Sequence, residues 1–504
     1  MSSAYIMVVL GIILAKSIGF YRDMAFAGVF GTGVQADIYF QVFGLVNLIF
    51  TGIGVALSTL VIKNINKAEN AGHEKAYASQ FLRKSFFYLL IVSVLMALLA
   101  KPIVNIILPN LSAKDLQLAV QMMYVMLPSL VFVVIAYIIS GLLQNERVYF
   151  VTAIMSLPFN AVIILALLVP EVSIFTVGIV TTIGWFLHIV ILLPSFYKKG
   201  YSLLKKSGGS ISQGKNLEIL WIFISNMMFQ LCFYTDRAFV SGDAGMAATF
   251  NYASNLFITI SSVFVVAMST VVFPSISKNY EEGNIDYVNE LLRYIITIMV
   301  AIFLPFLLVV GFFGTDIIRL VYERGSFSSD STLAVSSILV VYSFGILGYV
   351  SQELFNKILY LAGKYRYCVI GTISVIALNL LCNLLIVHFV PETTFAGTGL
   401  SVTAFLIACV TTLLLTCYAV LIAIGIRKVV GAYWKKDLLL DIGKISISGI
   451  LASLAYWCFN SFMPEFTHGY LTFTVPLCGC GAVYIISLYA TGVLARLIKK
   501  DRKG

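Results

Sequence analysis

The chain has 504 residues, of which 60% are hydrophobic and 11% charged, with a formal net charge of +10. This composition excludes an ordinary soluble globular domain and reads as a polytopic membrane protein. The basic residues lie in loops between apolar segments, so the charge sets orientation in a membrane rather than binding nucleic acid.

A span needs ~20 apolar residues. On that measure the sequence predicts an all-α fold of fourteen spans: 4–30, 38–62, 85–108, 118–143, 148–169, 172–193, 217–240, 249–273, 291–313, 332–361, 367–390, 396–425, 442–462 and 470–494. With the N-terminus inside, twenty-six of the thirty-three lysines and arginines fall in the inner loops and the tail. That asymmetry predicts a multi-pass protein with both termini cytoplasmic. The first apolar run continues into a charged helix, unlike a cleavable signal peptide. Eight cysteines, none before Cys232, lie mostly in apolar segments and read as small core residues.

The first span carries Lys16, Arg22 and Asp23, where a bilayer-facing helix carries no charge. A charge at mid-bilayer costs roughly 3 kcal/mol, so such residues usually face protein or a water-filled cavity. Lys16 and Arg22 are therefore expected to line a cavity for an anionic head group, with Asp23 orienting Arg22. Lys16, Gly19 and Asp23 share a helix face while Arg22 points elsewhere, and a bend at Gly19 would bring both cations together. The competing reading is an anchor at the outer end of the span. Asp37 opens the second span after a short Gly-rich turn and reads as its N-cap.

The chain repeats itself. AlaLeuSerThrLeuVal at 56–61 matches AlaMetSerThrValVal at 267–272, an offset of 211. Asp23-Met24-Ala25-Phe26 matches Asp236-Arg237-Ala238-Phe239 at 213, and Pro158-Phe159-Asn160 matches Ala377-Leu378-Asn379 at 219. Spans 1–6 and 7–12 thus read as two copies of one six-helix unit in the same orientation, a transporter architecture. The expected divisions are an N-lobe over 1–205, a C-lobe over 206–430, and two extra spans over 431–504.

LysSerIleGlyPheTyrArgAsp at 16–23, Ala36-Asp37, AspArgAlaPhe at 236–239 and GluArgGlySerPhe at 323–327 resemble the MviN/MurJ group. That group belongs to the multidrug/oligosaccharidyl-lipid/polysaccharide exporter superfamily. The resemblance implies a flippase that moves lipid II, the undecaprenyl-diphosphate-linked peptidoglycan precursor, from the inner to the outer leaflet for cell wall synthesis. It implies a central cationic cavity between two lobes and a lipid-tail groove built by spans 13 and 14. It also implies a gating role for Asp37. Lys16 stands where the family usually has Arg, which keeps the charge but loses the bidentate fork. Asn255 follows Tyr252-Ala253-Ser254 where family members often carry an acidic–Arg pair.

Asp236, Asn379, Asn383 and Ser401 form a second candidate site. Asn379 and Asn383 share one face of span 11, and their oxygens are hard donors suited to a small cation. The resemblance implies sodium there; buried amides hydrogen-bonding between helices are the other reading. Glu353 and Lys357, also at i, i+4, either neutralise each other or let Lys357 engage the inner head group. The four histidines show no HExxH spacing, and no GxxxxGK[ST] loop is present, so a transporter without cofactor is expected rather than an enzyme. A monomer working on lipid II among membrane lipids is the expected assembly. The alternatives are a flippase for another lipid-linked oligosaccharide, a cation-coupled drug exporter of the superfamily, and a membrane-embedded transferase.

Overall fold

A computed structural model describes residues 3–69, 74–202, 224, 227–391, 393–395, 400–462 and 469–501. Among them every regular element is an α-helix, and the single β-feature is an isolated antiparallel bridge between Thr394 and Ser401. The chain opens with α1 (Ser3–Phe30), α2 (Val34–Glu69), α3 (Glu74–Leu98), α4 (Ala100–Ile107), α5 (Ala113–Met126), α6 (Ser129–Asn145), α7 (Tyr149–Ala153), α8 (Leu157–Leu167) and α9 (Ile174–Lys198). It continues with α10 (Met228–Val240), α11 (Met246–Val271), α12 (Phe273–Glu281), α13 (Ile285–Tyr322), α14 (Ser329–Ser343) and α15 (Ile346–Leu361). It closes with α16 (Tyr365–Phe389), α17 (Val402–Val430), α18 (Lys436–Phe462), α19 (Gly469–Ala490) and α20 (Val493–Asp501).

The all-α polytopic expectation holds. Nine helices among the described residues are long and apolar enough to cross a membrane, or ten if α14 and α15, bent by 49°, count as one. Fourteen remains the number read from the sequence. The first half of expected span 7, the boundary near 205, and His73 and His468 lie outside the described residues. Four expected spans are each built of two helices: 85–108, 118–143, 148–169 and 332–361. Proline explains two of the breaks. Pro128 stands between α5 and α6, and Pro158 sits in the first turn of α8, where its missing N–H costs nothing. No break occurs at Gly19; α1 runs through it as one helix.

Two compact units organise the chain. The first comprises Met1–Tyr252, Tyr322–Ser331 and Asn383–Pro391; the second comprises Ala253–Val321, Thr332–Cys382 and Glu392–Gly504. In the first, α6 is buried almost throughout, with α2, α3 and α9 packed around it. There α1 runs against α7 and α8, and α8 lies on α9. That last approach is close: a Cβ at Gly184 would stand 2.7 Å from the Phe159 ring. The absent side chain lets Phe159 sit where Arg22 can use it.

In the second unit, α17 packs on α15 and carries the buried Tyr418. Its hydroxyl lies 3.2 Å from both Asn356 Oδ1 and the Cys368 carbonyl. The last helices form a cluster of their own on α13. Ile445, Ala452, Tyr484, Leu488 and Val493 pack with Val300, Ala301 and Leu304, and the Tyr484 hydroxyl donates to the Ala301 carbonyl at 2.9 Å. Ser487 donates to Ser448 at 2.9 Å across the α18–α19 seam. The Tyr418, Tyr484 and Ser487 hydroxyls thus each find an acceptor, as a membrane interior demands.

Candidate functional site

Arg22 is the centre of the charged site, and every group around it comes from the first unit. Its Nε and Nη2 donate to Asp23 Oδ1 at 3.0 and 2.6 Å. Its Nη1 donates to Asn160 Oδ1 at 3.1 Å, and the guanidinium carbon stands 5.5 Å from the centre of the Phe159 ring. Asn160 is held in turn, donating to the Ser156 carbonyl at 3.1 Å. Phe43 stacks beyond Phe159, with Tyr39 stacked on Phe43. The Tyr39 hydroxyl is bonded to Thr181 at 2.9 Å. A charge-assisted pair, an amide and an aromatic face therefore fix one half-buried cation in place. Lys16 is exposed, six residues earlier on α1.

A second polar cluster closes the loop end of the same helices. Asp37 is buried, and its two oxygens accept from the backbone N–H groups of Gly245 and Ala248 at 2.6 and 2.7 Å. Asp37 was expected to cap its own span; instead it sits in the first turn of α2 and caps α11. The free N–H groups and positive end of α11 make that a favourable seat for a carboxylate. The Tyr252 hydroxyl donates to the Gly31 carbonyl at 3.0 Å, and Ser326 N–H donates to the Gly28 carbonyl at 2.8 Å. Thr32 and Ser331 hydroxyls bond at 2.5 Å. Gly31 and Gly325 both adopt positive φ, and a Cβ on either would run into the opposing backbone. The GluArgGlySerPhe segment is thus the turn that interlocks with the α1–α2 turn.

The remaining candidates divide. Asn383 Nδ2 donates to the fully buried Asp236 at 3.0 Å. Asn379 Nδ2 donates to Thr411 at 2.7 Å, and the Ser401 hydroxyl caps α17 by accepting from Ala404 N–H at 3.2 Å. In this arrangement both amides turn their N–H groups to their partners, which is interhelical hydrogen bonding. No group of three or more His, Cys, Asp or Glu side chains able to hold a metal occurs among the described residues. Asn255 is half-buried on α11, and Glu353 and Lys357 are half-buried on α15.

Phe159 and Asn160 were not expected in the site. The repeat carried the signal, because Asn160 and Asn379 are amides kept at matched positions. Arg237, read from the sequence as part of the repeat, lies over the Tyr234 ring at 5.5 Å and donates to Asn251. Nothing in its spacing identified that partner, fourteen residues on.

The family model described as lipid II flippase MurJ matches residues 26–477. A probable lipid II flippase MurJ of Rhizobium tropici is 26% identical over 356 residues, covering 67% of this chain and 66% of that protein. The lipid II flippase MurJ of Burkholderia cenocepacia is 23% identical over 472 residues, 89% and 88% of the two chains. Among solved structures, a lipid II flippase MurJ in an inward closed conformation superposes with a TM-score of 0.77 at 19% identity, covering 97% of this chain and 99% of that one. An inward-facing MATE family multidrug transporter of the MOP superfamily gives 0.65 at 13% identity, covering 85% and 99%. These structural likenesses establish a shared fold.

Proposed function

The chain belongs to the MurJ family of lipid II flippases, and we propose that it carries lipid II from the cytoplasmic to the outer leaflet by alternating access, for cell wall synthesis. It is a multi-pass membrane transporter and not an enzyme. The reading places fourteen spans in an N-lobe over 1–205, a C-lobe over 206–430 and a tail-binding pair over 431–504, with both termini cytoplasmic and a monomer as the working unit.

The observation that carries this reading is Arg22, held by Asp23, Asn160 and Phe159 on a largely apolar helix. An unpaired guanidinium in the bilayer would be costly, so Asp23 keeps it neutralised until an anion arrives. A diphosphate offers more oxygens than one carboxylate and two negative charges. It can take over the Nη groups while Asp23 keeps Nε. Lys16 adds a second cation on the same helix, and Asn255 and Lys357 are assigned to the saccharide and the inner head group. Asp37 serves as a gate: its bond to the start of α11 must break for that end of the first unit to open.

The test is complementation of cells depleted of their own lipid II flippase. The wild-type chain should sustain growth, whereas Lys16→Ala and Arg22→Ala should reach the membrane and fail. Full growth with both variants would remove the anion-binding reading. Growth supported by export of lipophilic cations, with no lipid II movement, would favour the drug-exporter alternative.

A further inference from the structure

The turn between α15 and α16, in the second unit, holds charge that the proposed transport leaves unused. Here α15 ends in a Schellman turn: Gly363 adopts φ +67°, its N–H donates to the Tyr360 carbonyl at 3.0 Å, and Lys364 N–H donates to the Leu359 carbonyl at 2.8 Å. The chain then alternates cation and phenol through Lys364, Tyr365, Arg366 and Tyr367. With Gly363 and Ile370 these residues line a cavity of about 580 Å³. A neighbouring helix contributes a third cation. Lys428, in the last turn of α17, places its ammonium 5.6 Å from the centre of the Tyr367 ring. The ring lies close to α17: a Cβ at Gly425 would stand 3.9 Å from its Cγ.

No carboxylate lines this cavity, and none among the described residues forms an ion pair with Lys364, Arg366 or Lys428. Two cations lining one concavity, with a third on the ring of a lining tyrosine and no counter-charge among them, favour an anion. The apolar continuation says what kind. Beyond the cavity the outer face of α16 is exposed and apolar, with Ile370 65% and Ile373 51% accessible and Leu381 further along. Tyrosines at the junction of polar and apolar surface mark the depth of lipid head groups. We propose that this cavity binds the phosphate of an anionic phospholipid, whose acyl chains lie along Ile370, Ile373 and Leu381. Lys364 and Arg366 contact the phosphate oxygens. Lys428, behind the lining Tyr367 ring on which its charge rests, adds to the positive field there. This site is separate from Arg22 and does not depend on the identity of the transported lipid.

The experiment is native mass spectrometry of the purified, delipidated full-length chain titrated with dioleoyl-phosphatidylglycerol or dioleoyl-phosphatidylcholine. The wild type should retain phosphatidylglycerol at least ~10-fold more tightly, since each basic residue near a membrane surface contributes roughly fivefold. The variant carrying Lys364→Gln, Arg366→Gln and Lys428→Gln should bind both lipids alike, with an unchanged melting temperature in phosphatidylcholine nanodiscs. If the triple variant melts early, Arg366→Gln alone is used, and a loss of about fivefold is expected. Equal binding of the two lipids by wild type, or a preference surviving the substitutions, overturns the proposal. Displacement of phosphatidylglycerol by millimolar inorganic phosphate also overturns it, by assigning the cavity to a free anion.

Discussion

Asp23 and Asp236 stand 213 residues apart at matched positions of the two repeats, yet they hold different partners. Asp23 binds the guanidinium of Arg22, which in turn binds the amide of Asn160. Asp236 receives the amide of Asn383 directly. The position matching Arg22 is Thr235, whose hydroxyl donates to its own helix at the Cys232 carbonyl, 2.9 Å away. One residue therefore decides what each carboxylate does. Where an arginine precedes it, the aspartate steadies a cation fit for an anionic ligand. Where a threonine precedes it, the aspartate is a buried carboxylate tied to a neutral amide. The same helical frame yields sites of opposite polarity.

The most severe way to break this contrast is to give the first repeat the residue of the second. Arg22→Thr should abolish lipid II translocation in flippase-depleted cells without changing the amount of protein in the membrane. It would leave Asp23 half-buried without its cation, so the melting temperature should fall as well. Arg22→Lys keeps the charge but presents a single point of contact in place of a fork. Translocation should then drop by at least ~10-fold but remain measurable, because a bidentate contact is worth more than a tenfold factor. Wild-type rates in either variant would mean that Arg22 only anchors its helix.

A milder change acts on the gate rather than the site. Asp37→Asn keeps one acceptor oxygen for the two N–H groups of Gly245 and Ala248 and removes the charge that complements the start of α11. The expected cost is roughly 1–2 kcal/mol of that closed arrangement. A cysteine placed at Thr32, beside the Ser331 hydroxyl, should then react faster with a membrane-impermeant thiol reagent applied from outside. Tyr252→Phe, which removes the bond to the Gly31 carbonyl, should act in the same direction but less strongly. Unchanged labelling in both would show that this cluster is static packing.

Much of this was legible in the sequence because membrane helices advertise themselves. Long apolar runs located α2, α13 and α17, and charges inside such a run singled out Arg22 and Asp23 before any contact was known. Less legible were features set by chain segments far apart. Spacing along α1 turned Arg22 away from Lys16, and only the position of α8 shows that it turns toward Asn160, 138 residues later. Asp37 was readable as a cap but not as a cap for α11, because a carboxylate in a first turn looks the same whichever helix it serves. The turn at 323–327 carried family-like residues without revealing that its backbone meets the Gly28 carbonyl. Helix breaks within spans were not read from the sequence: proline stands at two of them, 128 and 158, but at the α14–α15 bend Gly345 caps the second helix and no proline marks the place.

The smallest effect sharpens the contrast most, because it compares one substitution at two matched positions. Asn160→Ala removes the acceptor of a charged Nη1–H and should lower translocation severalfold along with stability. Asn379→Ala removes a neutral bond to Thr411 and should cost about 1 kcal/mol, read as a lower melting temperature, with translocation close to wild type. The asymmetry follows from charge: a hydrogen bond to a guanidinium in low dielectric is worth about twice one between an amide and a hydroxyl. If Asn379→Ala instead halted transport while leaving the melting temperature unchanged, the second repeat would hold a ligand of its own. Repeating the melt in sodium and in potassium chloride, with Asp236→Ala as control, would then show whether that ligand is a cation.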